Sequence, residues 1–162
     1  MKYVAWIDGG SQIYKTVDKK RILIPAKERK SYFGYWVIRD EKNESYFDTG
    51  FCPVKEEVLN EKIQVMTAVG LTNNESEYMA LVVLLHKVPD NSEILVHSDS
   101  TLVVNQMQGK WKIKDNGLYA LYLLCTSKIK EKNLTVKFNW ISRDINMVGR
   151  YLERHKDELY NS

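Results

Sequence analysis

The chain has 162 residues, of which 44% are hydrophobic and 28% are charged, and its formal net charge is +3. This length and balance are typical of one globular domain with a buried core, so we expect residues 1–162 to form a single domain. No apolar run is long enough to cross a membrane and no signal-peptide pattern is present, which predicts a cytoplasmic protein without a membrane partner. The two cysteines, Cys52 and Cys125, are too scattered for a disulfide framework or a zinc cluster.

The charges are unevenly distributed along the chain. Seven cations and two acids lie between Lys15 and Lys30, whereas residues 40–62 are rich in acids. Segregation of this kind is typical of a surface that binds a polyanion, but it also serves solubility alone. The sequence leaves both interpretations open.

The first half of the chain predicts strands. Tyr3–Asp8 is a mostly apolar strand that ends abruptly at Gly9 and Gly10, and the basic connection after it contains Ile22–Ile24, which is either a short strand or a packed loop. Tyr32–Ile38 is a second strand, and Ser45–Phe51 alternates well enough to be its hairpin partner. Residues 62–66 fit a helix or a strand. We expect the three strands to pair in the antiparallel direction.

The second half of the chain alternates helices and strands. The predicted elements are, in order, a helix over 74–88, a strand over 93–97, helices over 101–108 and 115–130, a strand over 134–140 and a helix over 146–158. Strands separated by helices pair in parallel. The whole chain therefore predicts an α/β fold with a five-stranded mixed sheet, three antiparallel strands followed by two parallel ones, with helices on both faces.

Acids stand at the ends of two predicted strands. Asp8 ends the first strand, Asp99 follows the fourth, and Glu77 lies in the first turn or so of the helix that begins near Asn74. Asp8 is either a turn former or part of a site, because an unpaired buried charge is costly, and the helix dipole alone explains the position of Glu77. Sites in such sheets form outside the strand ends, and three carboxylates there would suit hard divalent metal ions.

Four motifs along the chain resemble those of type 1 ribonuclease H. They are the strand WIDGGS with Asp8, the helix start TNNESEYMAL with Glu77, the strand end SDS with Asp99, and Trp140–Asn146, which is similar to the family's W-x-x-R-E-x-N. The resemblance implies a ribonuclease H-like fold and an endoribonuclease that hydrolyses the RNA strand of RNA–DNA hybrids. It also implies two Mg²⁺ ions, for which Mn²⁺ substitutes, with Asp8, Glu77 and Asp99 as catalytic metal ligands.

One position departs from the family's pattern. The family places a fourth acid in the sequence N-x-x-A-D, but counting from Asn146 gives Arg150. A cation beside divalent ions is unfavourable, so Arg150 must point away, pair with an acid or contact a phosphate. We predict that Glu153, one turn further along nearly the same helix face, replaces the missing acid as a catalytic metal ligand, unless it is simply a solvated helix residue. Asp144 and Asp157 are the alternatives for this role.

The resemblance also implies substrate contacts. Asn73 and Asn74 match family positions near the RNA minor groove, where 2′-hydroxyl groups distinguish RNA from DNA, although helix capping explains both residues too. Gln106 either faces the hybrid or belongs to the polar surface.

A basic joint between two predicted helices provides a further expected contact. Lys110, Trp111 and Lys112 place cations around an aromatic ring, and we expect them on the DNA backbone. The segment 15–30 is longer than the family's usual first connection and is either an additional clamp or a solvated insertion.

Two other functions stay open on the same fold. One is a hybrid- or duplex-binding module in which Arg150 binds phosphate and catalysis is weak or absent, and the other is a nuclease that cuts DNA. The three acids favour catalysis, and the TNN motif favours RNA. We expect a monomer without an obligate protein partner, whose binding to nucleic acid weakens with salt.

Overall fold

The computed structural model describes residues 1–41 and 61–161. Its strands are β1 (Lys2–Ser11), β2 (Tyr14–Val17), β3 (Lys20–Leu23), β4 (Lys30–Arg39), β5 (Gln64–Val69), β6 (Glu93–Ser98) and β7 (Thr135–Trp140). Its helices are α1 (Asn73–Lys87), α2 (Thr101–Met107), α3 (Asn116–Glu131) and α4 (Met147–Asn161), with 3-10 turns at Ala26–Glu28 and Arg143–Ile145. In this part of the chain, no helix combines the length and the apolar character needed to cross a membrane.

Five strands form one mixed sheet in the order β5-β4-β1-β6-β7. The strands β5, β4 and β1 pair in the antiparallel direction, whereas β1, β6 and β7 run parallel to one another. The predicted α/β fold, with three antiparallel strands followed by two parallel ones, is confirmed. Each described element from α1 onward begins and ends within three residues of its prediction.

The strand that pairs with the outer edge of β4 is β5. Residues 62–66 were compatible with a helix or a strand, and the structure resolves the choice, because Gln64–Val69 pairs with β4 from Lys30 to Tyr35. The predicted strand Ser45–Phe51 lies outside the described residues. Ile22 and Leu23 belong to β3, so the short-strand interpretation of that segment is confirmed, but its partner β2 was not predicted.

Helices cover both faces of the sheet around β1, the central strand. Successive side chains of a strand point to opposite faces, so Ala5 and Ile7 pack in the core that contains α1, while Val4 and Trp6 pack in the core that contains α4. The Trp6 ring stacks on Trp36 of β4 with ring centroids 4.7 Å apart. This double covering buries β1 along nearly its whole length and fixes the position of its carboxyl end.

Candidate functional site

Three carboxylates from three elements meet at one edge of the sheet. Asp8 does not end its strand as predicted, because β1 continues through the two glycines to Ser11 while paired with β4. Glu77 lies in the first turns of α1, and Asp99 directly follows β6. Because β1 and β6 are parallel neighbours, their carboxyl ends share this edge. One carboxylate oxygen from each residue can be chosen so that all three atoms lie within 4.8 Å of one another. The structure thus brings together the three acids that the motifs singled out.

The amino end of α1 packs directly on the end of β1, and this contact places Glu77 beside Asp8. A Cβ atom at Gly9 would collide with the backbone of Ser76 and Glu77, so only glycine permits the close approach. A serine cluster secures the same contact, since the Ser11 Oγ lies 2.9 Å from the Ser31 Oγ and 3.2 Å from the Ser76 Oγ. Two strands and the helix are therefore joined by buried hydroxyl groups.

Capping fixes where α1 begins. The Thr72 Oγ1 accepts a hydrogen bond from the Glu75 N–H at 3.1 Å, and the Glu75 Oε1 accepts one from the Thr72 N–H at 3.0 Å. This reciprocal pair is a capping box, so Thr72 rather than either asparagine caps the helix. The Asn73 Oδ1 instead accepts from the Ser11 N–H at 2.7 Å. The helix start is thus tied to β1 just beyond Asp8.

Burial raises the pKa of all three acids, and neighbouring carboxylates raise those of Asp8 and Glu77 further. Burial and then the charge of Asp99 raise the pKa of Asp8, which is 2% exposed, to about 7. Burial, followed by the charges of Asp8 and Asp99, holds the pKa of Glu77 well above its usual value. Burial also raises the pKa of Asp99, against a hydrogen bond from Asn146 that lowers it. Ionising all three groups together therefore requires a compensating positive charge.

Two oxygens of the cluster have no hydrogen-bond partner. They are the Oδ1 of Asp8 and the Oε2 of Glu77, and both are buried. Buried polar atoms are normally paired, and a cation is a partner that would satisfy both oxygens. An all-carboxylate donor set suits Mg²⁺ or Mn²⁺ rather than softer metals. The residues present therefore fit a divalent metal site.

Asn146 joins this cluster to α4, a role for which the sequence offered no signal beyond its place in the fourth motif. Its Nδ2 donates to the Ile7 carbonyl and to the Asp99 Oδ2, both at 3.0 Å, and its Oδ1 accepts from the Gly149 N–H at 3.3 Å. The side chain is completely buried. Asn146 therefore orients Asp99 and holds the start of α4 against β1.

Arg143 supplies positive charge beside the acids. Burial lowers the pKa of Arg143, but the nearby carboxylates Asp8, Asp99 and Glu153 outweigh this effect and the net direction is upward. Arg143 lies within the fourth motif, Trp140–Asn146, but the motif alone predicts no role for it. The structure identifies it as a cation that interacts electrostatically with the cluster.

A pocket of about 500 Å³ lies between the 3-10 turn and α4, next to the acids. Its lining residues are mostly charged and comprise Arg143, Asp144, Gly149, Arg150, Glu153 and Arg154. The wall at Gly149 adjoins the cluster, because a Cβ there would lie 3.2 Å from the Asp99 Oδ2 and 3.4 Å from the Asp8 Oδ2. Three guanidinium groups thus line a pocket beside the acids, and Arg150 is one of them.

The structure does not bring Glu153 into the group of three acids that lie within 4.8 Å among the described residues. Its Oε1 accepts a hydrogen bond from the Lys156 Nζ at 2.9 Å, and its side chain is 51% exposed. Asp144 lines the same pocket from the 3-10 turn, whereas Asp157 lies further along α4. The role of Glu153 as a metal ligand stays a prediction.

The expected substrate contacts fall into two groups. Asn73, Asn74, Lys110, Trp111 and Lys112 are exposed, which is compatible with binding a large ligand. Gln106, in contrast, is buried: only 5% of it is exposed, and its Oε1 accepts a hydrogen bond from the Tyr78 Oη at 2.7 Å. The expectation that Gln106 faces the substrate is therefore corrected, since this residue lies on the side of α2 that packs against α1.

The chain matches one family of known proteins along most of its length. The model of the family described as "Reverse transcriptase-like" matches residues 26–155. The chain belongs to this family. Curated relatives include the "Bifunctional protein Rv2228c" of Mycobacterium tuberculosis and the "Uncharacterized protein Mb2253c" of Mycobacterium bovis. Each is 34% identical over 79 residues, which are 47% of this chain and 21% of the relative, so the chain spans about a fifth of the length of these proteins.

Solved structures of ribonucleases H share the fold. The N-terminal RNase H domain of Rv2228c from Mycobacterium tuberculosis aligns with a TM-score of 0.67 and 22% identity, covering 99% of this chain and 96% of that chain. RNase H1 from Halobacterium salinarum aligns with a TM-score of 0.67 and 18% identity, covering 98% of this chain and 99% of that chain. LC11-RNase H1 in complex with an RNA/DNA hybrid aligns with a TM-score of 0.62 and 22% identity, covering 98% of this chain and 94% of that chain. The ribonuclease H-like fold expected from the motifs is confirmed.

Proposed function

We propose that this protein is a metal-dependent endoribonuclease that hydrolyses the RNA strand of RNA–DNA hybrids. The observation that carries the proposal is the group formed by the buried Asp8 and the half-buried Glu77 and Asp99, in which two buried oxygens lack partners. Membership of the reverse transcriptase-like family and the shared fold support it. Further support comes from LC11-RNase H1, a protein of the same fold whose structure was solved with an RNA/DNA hybrid.

The three acids would hold two Mg²⁺ ions, with Mn²⁺ as a substitute. When bound, such ions activate an attacking water and stabilise the leaving oxygen. The protein must keep these carboxylates ionised and oriented toward the metal ions. Asn146 serves this task, because its hydrogen bond to Asp99 favours the ionised form of that acid and fixes its rotamer.

Glu153 would complete the ligand set in place of the acid that Arg150 replaces. To do so its carboxylate must leave Lys156, but an exposed ion pair of this kind contributes only about 0–1 kcal/mol. A divalent ion offers the carboxylate twice the charge of an ammonium group. The pairing with Lys156 is therefore compatible with Glu153 as a ligand once metal is bound.

The cationic pocket suits phosphates that flank the cleaved bond. Guanidinium groups form paired hydrogen bonds with phosphate oxygens, and Arg143, Arg150 and Arg154 all line the pocket. This assignment gives Arg150 the phosphate contact that the sequence analysis left open. We further propose that Asn73 and Asn74 contact the RNA strand, and that Lys110, Trp111 and Lys112 contact the DNA backbone.

The deciding experiment compares cleavage of an end-labelled RNA–DNA hybrid, duplex RNA and duplex DNA, first in Mg²⁺ and then in Mn²⁺. We expect cleavage of the RNA strand of the hybrid only, and no cleavage in EDTA. The Asp99→Asn variant, which keeps the shape of the side chain, should be inactive in both metals. Well-folded protein that cuts none of the three substrates would contradict the proposal, and cleavage of duplex DNA would indicate a different nuclease.

A hybrid-binding module without catalysis is the second candidate. It is favoured by one observation, the presence of Arg150 where an acid is expected together with a Glu153 that lies outside the cluster. Under this alternative, the wild-type protein binds the hybrid but does not cut it, and Arg150→Asp gains Mg²⁺-dependent cleavage. If the wild-type protein cuts, the same substitution tests whether the phosphate contact assists catalysis.

A further inference from the structure

The hairpin formed by β2 and β3 contributes little to the core. All eight residues of its two strands are exposed, and they pair only with each other in a separate two-stranded sheet. A two-stranded hairpin without a hydrophobic face to bury is marginally stable in water. The chain nevertheless keeps this hairpin directly after β1, the strand that carries Asp8.

The turn of the hairpin contains a residue that is unfavourable for the backbone conformation at its position. Asp18 and Lys19 both adopt left-handed backbone conformations, with φ of 51° and 64°. Two-residue turns of this kind favour Asn-Gly or Asp-Gly, because a residue with a Cβ atom is disfavoured at the second position. A lysine stands where glycine would fit better, so the tip of the hairpin keeps a positive charge at the expense of local stability.

A groove of about 740 Å³ separates the hairpin from α4. Four cations line it, and they are Lys15, Lys19, Arg21 and Lys156. The acids Glu153 and Asp157 also line it, but Glu153 is already paired with Lys156. Positive charge therefore predominates on the hairpin side of the groove.

Aromatic rings also line the groove. The Arg21 guanidinium lies 3.9 Å from the centroid of the Tyr14 ring, so cation and ring are presented together. Tyr32 and Tyr160, with ring centroids 5.3 Å apart, line the groove where β4 meets α4. Cations combined with aromatic faces are the residue types that bind nucleic-acid backbones and unpaired bases.

The groove continues into the site of the three acids. Tyr32 lies against the end of β1, because a Cβ at Gly10 would come within 2.7 Å of the Tyr32 Oη. Glu153 lines both this groove and the pocket beside Asp8 and Asp99. One continuous surface therefore leads from the proposed cleavage site to the hairpin.

We propose that this groove binds the sugar–phosphate backbone of the hybrid beyond the cleavage site, an inference that rests on the proposed function. The six residue steps from Asp8 to Tyr14 span at most about 20 Å, which corresponds to about six base pairs at a rise of roughly 3.4 Å per pair. The hairpin thus extends the contact with substrate by up to half a helical turn. The basic segment 15–30 then acts as a clamp rather than as a solvated insertion.

Binding measured without cleavage tests the groove separately from the enzyme. A fluorescent hybrid of about 20 base pairs is titrated in EDTA with wild-type protein and with the triple variant Lys15→Ala/Lys19→Ala/Arg21→Ala. We expect the variant's Kd to rise about tenfold or more, and the slope of log Kd against log salt concentration to fall by about 2 to 3. The matched control is Lys87→Ala/Lys130→Ala/Lys137→Ala, which removes the same charge from exposed lysines that do not line the groove. Equal Kd values and equal slopes for the two triple variants would overturn the proposal.

The single substitution Lys19→Gly separates binding from folding. Glycine suits the left-handed turn, so the Tm should stay equal or rise, while the Kd for the hybrid rises. A variant that binds like the wild type would contradict the role of the turn lysine. Weaker binding by the groove variants of a protein that cuts nothing would overturn the nuclease and support the groove. Hybrid cleavage by a protein whose binding does not depend on the hairpin would support the nuclease and overturn the groove.

Discussion

Two glutamates on α4 differ in what they can reach. Glu153 lines the pocket beside the acids and pairs with Lys156 at 2.9 Å. Glu158 lies further along the helix, 3.4 Å from His155, and its side chain is 81% exposed. Both pairs are exposed, so neither adds much to folding stability. The two residues therefore form a matched pair for testing the fourth metal ligand.

We expect Glu153→Gln to lower Mg²⁺-dependent cleavage of the hybrid on the order of 100-fold or more, because one charged ligand at the reacting centre is lost. Glu158→Gln should leave the rate unchanged. Single-turnover kinetics give the rates, and thermal unfolding should show less than about 1 kcal/mol of destabilisation for either variant. Normal activity of Glu153→Gln would exclude it as a ligand and direct attention to Asp144.

Sequence motifs located the acids but not the residues that orient them. Asp8 and Asp99 could be placed at one sheet edge because they lie near the carboxyl ends of two parallel strands, and Glu77 because its helix start is recognisable. The contacts of Asn146 could not be predicted, since its partner Ile7 is 139 positions away. Gln106 was misplaced for a related reason, because the packing of α2 on α1 decides which side of a two-turn helix is buried.

At the scale of elements, the contact between β1 and α1 determines whether Glu77 reaches Asp8. Gly9→Ala would place a methyl group against the backbone of Ser76 and Glu77, where no flexible side chain can yield. We expect a loss of about 1–3 kcal/mol in the free energy of unfolding and a lower cleavage rate, because α1 must move away from β1.

The control for this prediction is Gly117→Ala in the first turns of α3. Its Cβ would meet the end of the Glu75 side chain, which can rotate aside, and alanine favours a helix. Urea unfolding and the hybrid assay should therefore separate the two variants. Equal stability and equal activity would show that the close approach at Gly9 does not position Glu77.

Predictability also varied between elements. From α1 onward, the periodic spacing of apolar residues predicted every described helix and strand. The hairpin of β2 and β3 gave no such signal, because exposed strands need no alternation of apolar and polar residues. β5 was ambiguous because it lies at the edge of the sheet and half of its residues are exposed.

At the scale of the whole molecule, the acid cluster couples stability to pH. The folded state raises the pKa of Asp8 from 3.8 to about 7, and it shifts Glu77 and Asp99 in the same direction. At pH values between the two pKa values of Asp8, this carboxyl is ionised in the unfolded chain but keeps its proton in the native protein. The metal-free protein should therefore lose stability as pH rises from about 4 through the pKa of about 7 that Asp8 has in the folded state.

Urea unfolding in EDTA at a series of pH values checks this expectation. For the wild type we expect a decrease of a few kcal/mol across that range, since each shifted pKa unit corresponds to about 1.4 kcal/mol. Asp8→Asn removes one of the titrating groups, so it should flatten the profile and be more stable than the wild type at pH 8, although we expect it to be inactive. Mg²⁺ should restore wild-type stability at pH 8 by binding only the native state. An equally steep profile for Asp8→Asn would assign the pH dependence to other groups.

The hydrogen bond from Asn146 to the Ile7 carbonyl joins the last helix to the first strand. Contacts between such distant positions carry a large loop-closure entropy and form late in folding. The sheet and its first helices can assemble while α4 is still unattached, but Asp99 is held in place only once Asn146 has docked. Recovery of the reaction during refolding should therefore lag behind recovery of secondary structure. Under the proposed function, the first turnover of a newly made molecule should therefore mark the end of its folding.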